Sequence, residues 1–125
     1  MSRIGKENET VHELGILVEI IKTVDRFAVE NRVNKIEKLV LQMGEISGVM
    51  PEYMKKIYPI AVEGSILEKA ELEIEILPAN ARCLDCEHIF HGLKSGGICP
   101  ECGSRNMKLV SGRESVIIKQ IECTE

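Results

Sequence analysis

From position 11 onward, the apolar residues keep two different rhythms. Leu14, Leu17, Val18, Ile21, Val24 and Ala28 recur at three- and four-residue steps, the period of a helix with one apolar stripe. This predicts a helix running to about Asn31. Thr10 and Glu13 have the spacing of a capping box, in which hydroxyl and carboxylate satisfy exposed first-turn amides reciprocally. Lys35 to Ile46 alternates instead, with Leu39, Leu41 and Met43 on one face and Ile36, Lys38, Val40 and Gln42 on the other, so a strand is expected. After a turn at Ser47-Gly48, Pro51 suits the first position of a second helix that continues through Met54, Ile57, Tyr58, Ala61 and Val62 toward Gly64. Pro59 removes a backbone donor inside that pattern, so the helix is either kinked there or shorter than its period suggests. Ala70 to Leu77 alternates strictly, Leu72, Ile74 and Ile76 against Glu71, Glu73 and Glu75, one face buried and the other wet. A last strand, Ser115 to Glu122, follows a turn at Ser111-Gly112.

A strand, a helix and a strand in sequence make a right-handed crossover with parallel strands if the two share a sheet. Three strands bury a face together, so the last one is expected back in the sheet of the first two. The predicted class is α+β: a small mixed three-stranded sheet with two helices on one face, interrupted by an inserted module. Residues 1–10 lack periodicity and read as a disordered extension. Residues 11–78 and 111–125 form the α/β domain, and residues 79–110 form the insert.

The insert holds Cys83-Leu84-Asp85-Cys86 and, after the twelve residues 87–98, Cys99-Pro100-Glu101-Cys102. Each short turn aims two sulfurs at one point, and the segment between lets the two turns face each other. Four thiolates so placed close a tetrahedron around zinc. Pro100 and Gly103 suit the tight turn this requires. Two disulfides would need an oxidising compartment, which nothing suggests. A redox pair of the thioredoxin kind uses one such turn rather than two, and the even spacing favours a single ion over an iron-sulfur cluster. Structural zinc on Cys83, Cys86, Cys99 and Cys102 is the expectation. His88 and His91 lie in the same module, where four thiolates already saturate zinc. They are expected as a solvated pair, with a sensing role the alternative.

Composition narrows the function further. A chain of 125 residues suits one core with a small metal-stapled appendage. The net charge of −4 argues against nucleic acid, whose phosphates call for a surplus of Lys and Arg. The longest apolar run, Leu14 to Ile21, is interrupted by Gly15 and Glu19, so no membrane span is expected. No signal peptide is expected at Met1 to Thr10, which is polar. With reduced cysteines, the cytoplasm is the expected location. The alternating Glu71, Glu73 and Glu75 read as a solvated face, and Cys123 as a strand residue with a free thiol. No nucleophile pairs with a base, and Gly96-Gly97 lacks the flanking residues of a phosphate loop, so no enzyme is expected.

One motif remains, His12-Glu13-Leu14 at the head of the first helix. It stands with Gly44-Glu45-Ile46, Gly48-Val49 and Pro51-Glu52 after the first strand, and with Ala70-Glu71-Leu72-Glu73-Ile74 in the second. Cys99-Pro100-Glu101-Cys102-Gly103 and Ser111-Gly112-Arg113-Glu114, leading to Ile121-Glu122, complete the set. In that order these elements resemble the HypA/HybF family, the nickel metallochaperones of hydrogenase maturation, over Val11 to about Glu122. The resemblance implies nickel held by His12, with Glu13 supporting, together with a terminal amine and adjacent amides. It also implies a HypB-type GTPase and a hydrogenase large-subunit precursor as partners, for a carrier that is a monomer or a dimer. Nickel(II) favours nitrogen donors in a square plane, and an imidazole with neighbouring amides supplies them without a preformed cavity. In the family the initiator methionine directly precedes the histidine, whereas ten residues precede Val11 here. The expectation is a natural start at position 11; if the extension is genuine, the imidazole and local amides remain. The rival reading is a zinc-ribbon interaction module in a transcription or translation assembly. A metal-assisted hydrolase ranks lower, because catalytic zinc keeps a position open.

Overall fold

The computed structural model describes the backbone of residues 2–113 and 115–124, and side chains from His12 onward within those ranges. The elements are α1 (Ser2–Glu30), β1 (Lys35–Gly44), α2 (Pro51–Ala61), β2 (Glu71–Leu77), β3 (Asn80–Cys83), β4 (Ile89–His91), β5 (Met107–Leu109) and β6 (Ile117–Thr124). They form two three-stranded sheets, ordered β2-β1-β6 and β4-β3-β5. The class is α+β with two helices and small mixed sheets. The chain divides into two compact units, one of residues 1–41, 49–75 and 117–125, the other of residues 42–48 and 76–116.

In the first unit α1 packs on α2. Their buried rows, Leu17, Ile20, Val24 and Ala28 on α1 and Met54 and Tyr58 on α2, join Leu39 and Leu41 of β1 in the core. Two apolar rows lie side by side on α1, and the structure buries the one through Leu17, Ile20 and Val24. Leu14 and Val18, expected in the stripe, are 43% and 39% exposed. The period of a helix does not say which of two adjacent rows its neighbours will cover. The buried row also takes in Glu13; the helix begins at Ser2 rather than at the Thr10 expected to cap it, and the side chain of Thr10 lies outside the described residues. Residues 1–10 are expected as a disordered extension, whereas the backbone from Ser2 onward is part of α1; the side chains of these residues lie outside the described ones.

Helix α2 stops at Ala61, short of Gly64, with Pro59 two residues from its end. The helix runs through Pro59 and ends two residues later, shorter than its period suggests. Lys38 reaches Glu73 at 3.5 Å, and the Glu45 amide donates to the Leu77 carbonyl at 2.8 Å. Both contacts advance in the same direction along β1 and β2, as a parallel pair requires. The last strand, β6, returns beside β1, as the need for a third strand predicts.

The second unit contains a sheet that the alternation does not announce. Strand β3 pairs antiparallel with β4 (Ala81↔Phe90) and with β5 (Ala81↔Leu109). Strands of three and four residues are too short to carry a period. Their small core is Ala81, Cys83, Phe90 and Cys99, with Met107 and Leu109 partly buried against it.

Candidate metal centres

The two cysteine turns repeat one backbone pattern. The Cys83 carbonyl accepts from the Glu87 amide at 2.9 Å, and the Cys83 amide donates to the His88 carbonyl at 2.9 Å. The Cys99 carbonyl accepts from Gly103 at 2.8 Å, and the Cys99 amide donates to Ser104 at 2.8 Å. In each turn the residue after the second cysteine is left-handed, Glu87 at φ 66° and Gly103 at φ 75°. This curl points amides at sulfur: Cys86 and Asp85 toward the Cys83 thiol, His88 toward Cys86, and Ser104 toward Cys102.

All four sulfurs lie within 4.8 Å of one another. The close contacts run between the turns, Cys83 to Cys102 at 3.5 Å and Cys86 to Cys99 at 3.6 Å, and no disulfide joins them. A tetrahedron with zinc–sulfur bonds of about 2.3 Å has edges of roughly 3.8 Å, so the donor set fits that ion. The electrostatics agree. The Cys86 amide, ahead of that of Asp85, brings the Cys83 thiol down to about 7 against the cost of burial. For Cys86 the His88 amide favours the thiolate, but desolvation and the crowding of other sulfurs outweigh it and push the thiol up to about 12. Such a cluster holds four thiolates only by sharing a cation. The Ser104 hydroxyl donates to the Asp85 carboxylate and accepts from the Asn106 amide at 3.0 Å, tying one turn to the other.

His88 and His91 fall outside this group. The His88 ring stacks on Phe90, centroids 6.3 Å apart. His91 has both nitrogens engaged: Nε2 lies 2.7 Å from Glu45 Oε1, and Nδ1 accepts the Lys94 amide at 3.1 Å. These bonds set the neutral ring as the Nε2–H tautomer, a donor to the carboxylate. Glu45 Oε1 also accepts the Ala79 amide at 2.7 Å. That bond, and then His91, hold the Glu45 carboxyl below the usual carboxylate range. The pairing joins residues 46 apart in sequence, beyond the reach of any local pattern.

His12 is exposed on α1. Glu13, one residue on and so about 100° round the helix, is 2% exposed, and its Oε1 accepts the Met50 amide at 3.3 Å. Met50 is the N-cap residue of α2 and has no side-chain cap of its own. The fold therefore turns the two neighbours to different surroundings, the imidazole outward and the carboxylate into the helix contact. The acidic row of β2 is ion-paired, Glu73 with Lys38 and Glu75 with Lys119 at 2.8 Å. Among the described residues, the four cysteines are the group of metal-ligating side chains that converges. Cys123 is exposed on β6.

A sequence profile described as "Hydrogenase/urease nickel incorporation, metallochaperone, hypA" matches residues 11–123. The chain belongs to the HypA family. It is a family of metallochaperones rather than enzymes, acting in hydrogenase maturation. The hydrogenase maturation factor HypA of Aquifex aeolicus is 31% identical over 112 residues, covering 90% of this chain and 96% of that one. HypA of Trichormus variabilis is 36% identical over 115 residues, covering 92% and 97%. A HypA solution structure superposes with a TM-score of 0.66 at 26% identity, covering 91% of this chain and 97% of that one. The solution structure of the nickel metallochaperone HypA from Helicobacter pylori, at 24% identity and a TM-score of 0.60, shares the HypA fold over 89% of this chain and 96% of its own. Among the described residues no helix is long and apolar enough to cross a membrane.

Proposed function

We propose that this protein is a cytoplasmic nickel carrier that takes up Ni(II) at His12 and delivers it to a [NiFe]-hydrogenase large-subunit precursor, working with a HypB-type GTPase. The HypA profile over residues 11–123, both units included, carries the reading. In it, residues 11–78 and 111–125 make the nickel-binding domain. Residues 79–110 make the zinc ribbon, with zinc on Cys83, Cys86, Cys99 and Cys102.

His12 presents its imidazole to solvent, where an ion can be taken up and surrendered without opening the core. Together with main-chain amides it offers the nitrogen donors that nickel(II) prefers. Glu13 supports the site from inside, since its bond to the Met50 amide fixes the turn of α1 that displays His12. The sulfur cluster is the opposite kind of site. Zinc bound by four thiolates has no position open for a substrate, so its part is to hold the ribbon together.

The test is a nickel titration of zinc-loaded protein, followed by absorption. It compares the full chain, a form starting with Met at position 11, His12→Ala and Glu13→Gln. His12→Ala should lose stoichiometric binding, while Glu13→Gln should keep it and melt at lower temperature. If all forms bind nickel alike, His12 is not the ligand.

A further inference from the structure

The cysteine-bearing unit has an edge and a cleft that metal binding does not use. Strand β5 is the outer strand of the sheet β4-β3-β5. Lys108 stands opposite Arg82. On either side, the Leu84 amide donates to Asn106 and the Val110 amide to Asn80, each at 2.9 Å. Alternate residues of an antiparallel ladder turn their main-chain groups toward the partner strand. Asn106, Lys108 and Val110 therefore face β3, and the N–H and C=O groups of Met107 and Leu109 face the open edge.

The side chains of the same two residues line an apolar cleft of about 270 Å³, with Ile46, Ala79, Gly92 and Leu93 among its other walls. Glycine at position 92 leaves this wall without a side chain, and no charged residue lines the cleft. Leu93 on its rim is 58% exposed. Leu109 also borders a second cleft, of about 310 Å³, which it shares with Val110, Ser111 and Arg113. Arg113 is exposed and has no ion-pair partner among the described residues. Strand β5 thus combines an edge that no described strand covers with an apolar cleft under it, and Arg113, beyond its end, adds a cation with no ion-pair partner among the described residues.

We propose that β5 docks an extended segment of a partner protein as an added strand. Its main chain pairs with Met107 and Leu109. One large apolar side chain, of leucine, methionine or phenylalanine size, enters the cleft, and a nearby carboxylate meets Arg113. In strand addition the main-chain bonds supply affinity, and pockets for alternate side chains supply selectivity. An edge left open beside apolar surface is otherwise an aggregation hazard. The charge of Arg113 selects an acidic segment over a basic one. The site lies apart from His12 in sequence and uses no cysteine, so it is a contact for a partner and not part of either metal centre.

The experiment is a selection from a peptide-display library on the zinc-loaded full chain, with the enriched peptides then assayed on Arg113→Glu and Leu93→Asp. Both positions are exposed, and zinc content checks that the variants fold. Enriched peptides should combine a large apolar residue with Asp or Glu a few positions away. They should bind each variant about tenfold more weakly, and should slow amide exchange at Met107 and Leu109. The proposal is overturned if nothing is enriched, or if the peptides bind both variants as tightly as the parent. It is also overturned if the Met107 and Leu109 amides become protected with rising protein concentration alone, which would assign the edge to a second copy of this chain.

Discussion

Tyr58 sits where the period of α2 marks an apolar position, and the fold uses both ends of the side chain. The ring is buried, and the hydroxyl donates to the Ala70 carbonyl at 3.1 Å and lies 3.4 Å from that of Leu67. Burial pushes the phenol up to about 12. Because the folded value lies above the unfolded value of about 10, the stabilisation is complete below about 10 and is lost as the pH rises toward 12. Tyr58→Phe should cost about 1–2 kcal/mol at neutral pH, and its urea midpoint should fall less steeply than that of the parent above pH 10. Equal slopes would show that Tyr58 does not carry the alkaline loss. At this scale the sequence speaks unevenly. The four cysteines are legible because ligand type and spacing are local facts. Glu13 is not, since a carboxylate on an amphipathic helix looks the same whether it faces water or, as here, the start of α2. The bond from His91 to Glu45 is less legible still, joining a hairpin to a residue that the alternation of β1 treats as a strand end.

At the scale of elements, the long periods placed the elements without choosing the faces they bury, since Leu14, Val18 and Ile76, all expected on buried faces, are exposed, and the short ones were silent. β1 forms where ten residues of alternation place it, but it is buried on both faces, Ile36 and Val40 as well as Leu39 and Leu41. β3, β4 and β5 have no such signal. The turn before β6 is set by one close approach. Gly112 has φ +97°, and a Cβ built there would lie 2.5 Å from the Ala79 Cα and 2.9 Å from its nitrogen. The neighbour is main chain and cannot step aside. Gly112→Ala should therefore combine left-handed strain with overpacking, a loss on the order of 3 kcal/mol. Guanidinium denaturation of the purified variant measures it, and an unchanged midpoint would mean that the turn relaxes freely. The sequence marks Ser111-Gly112 as a turn, but only the fold shows that Ala79, more than thirty residues earlier, requires the glycine.

At the scale of the molecule the two units rest on different physics. The unit with α1 and α2 buries a continuous apolar core, whereas the cysteine unit has a small one, centred on Ala81, Phe90 and two of its cysteines. Zinc on four thiolates supplies a binding free energy on the order of 10 kcal/mol or more, and this unit has little else to replace it. Chelation of the zinc-loaded full chain should collapse amide protection in β3 while leaving that of Leu39 and Leu41 in place. Retained protection in β3 after the metal is removed would show that the small core suffices. By itself the sequence determined what a short stretch can encode. That includes the period of each long element, the return of the last strand, the paired cysteine turns, and a set of motifs that resembles one family. Only the tertiary structure decided which row of α1 is buried, that Glu13 turns in while His12 turns out, that Glu45 holds His91, and that β5 is the outer strand of its sheet. These outcomes depend on contacts between segments tens of residues apart. Local periodicity limits such contacts but does not choose among them, because the choice is made by the packing of the whole chain.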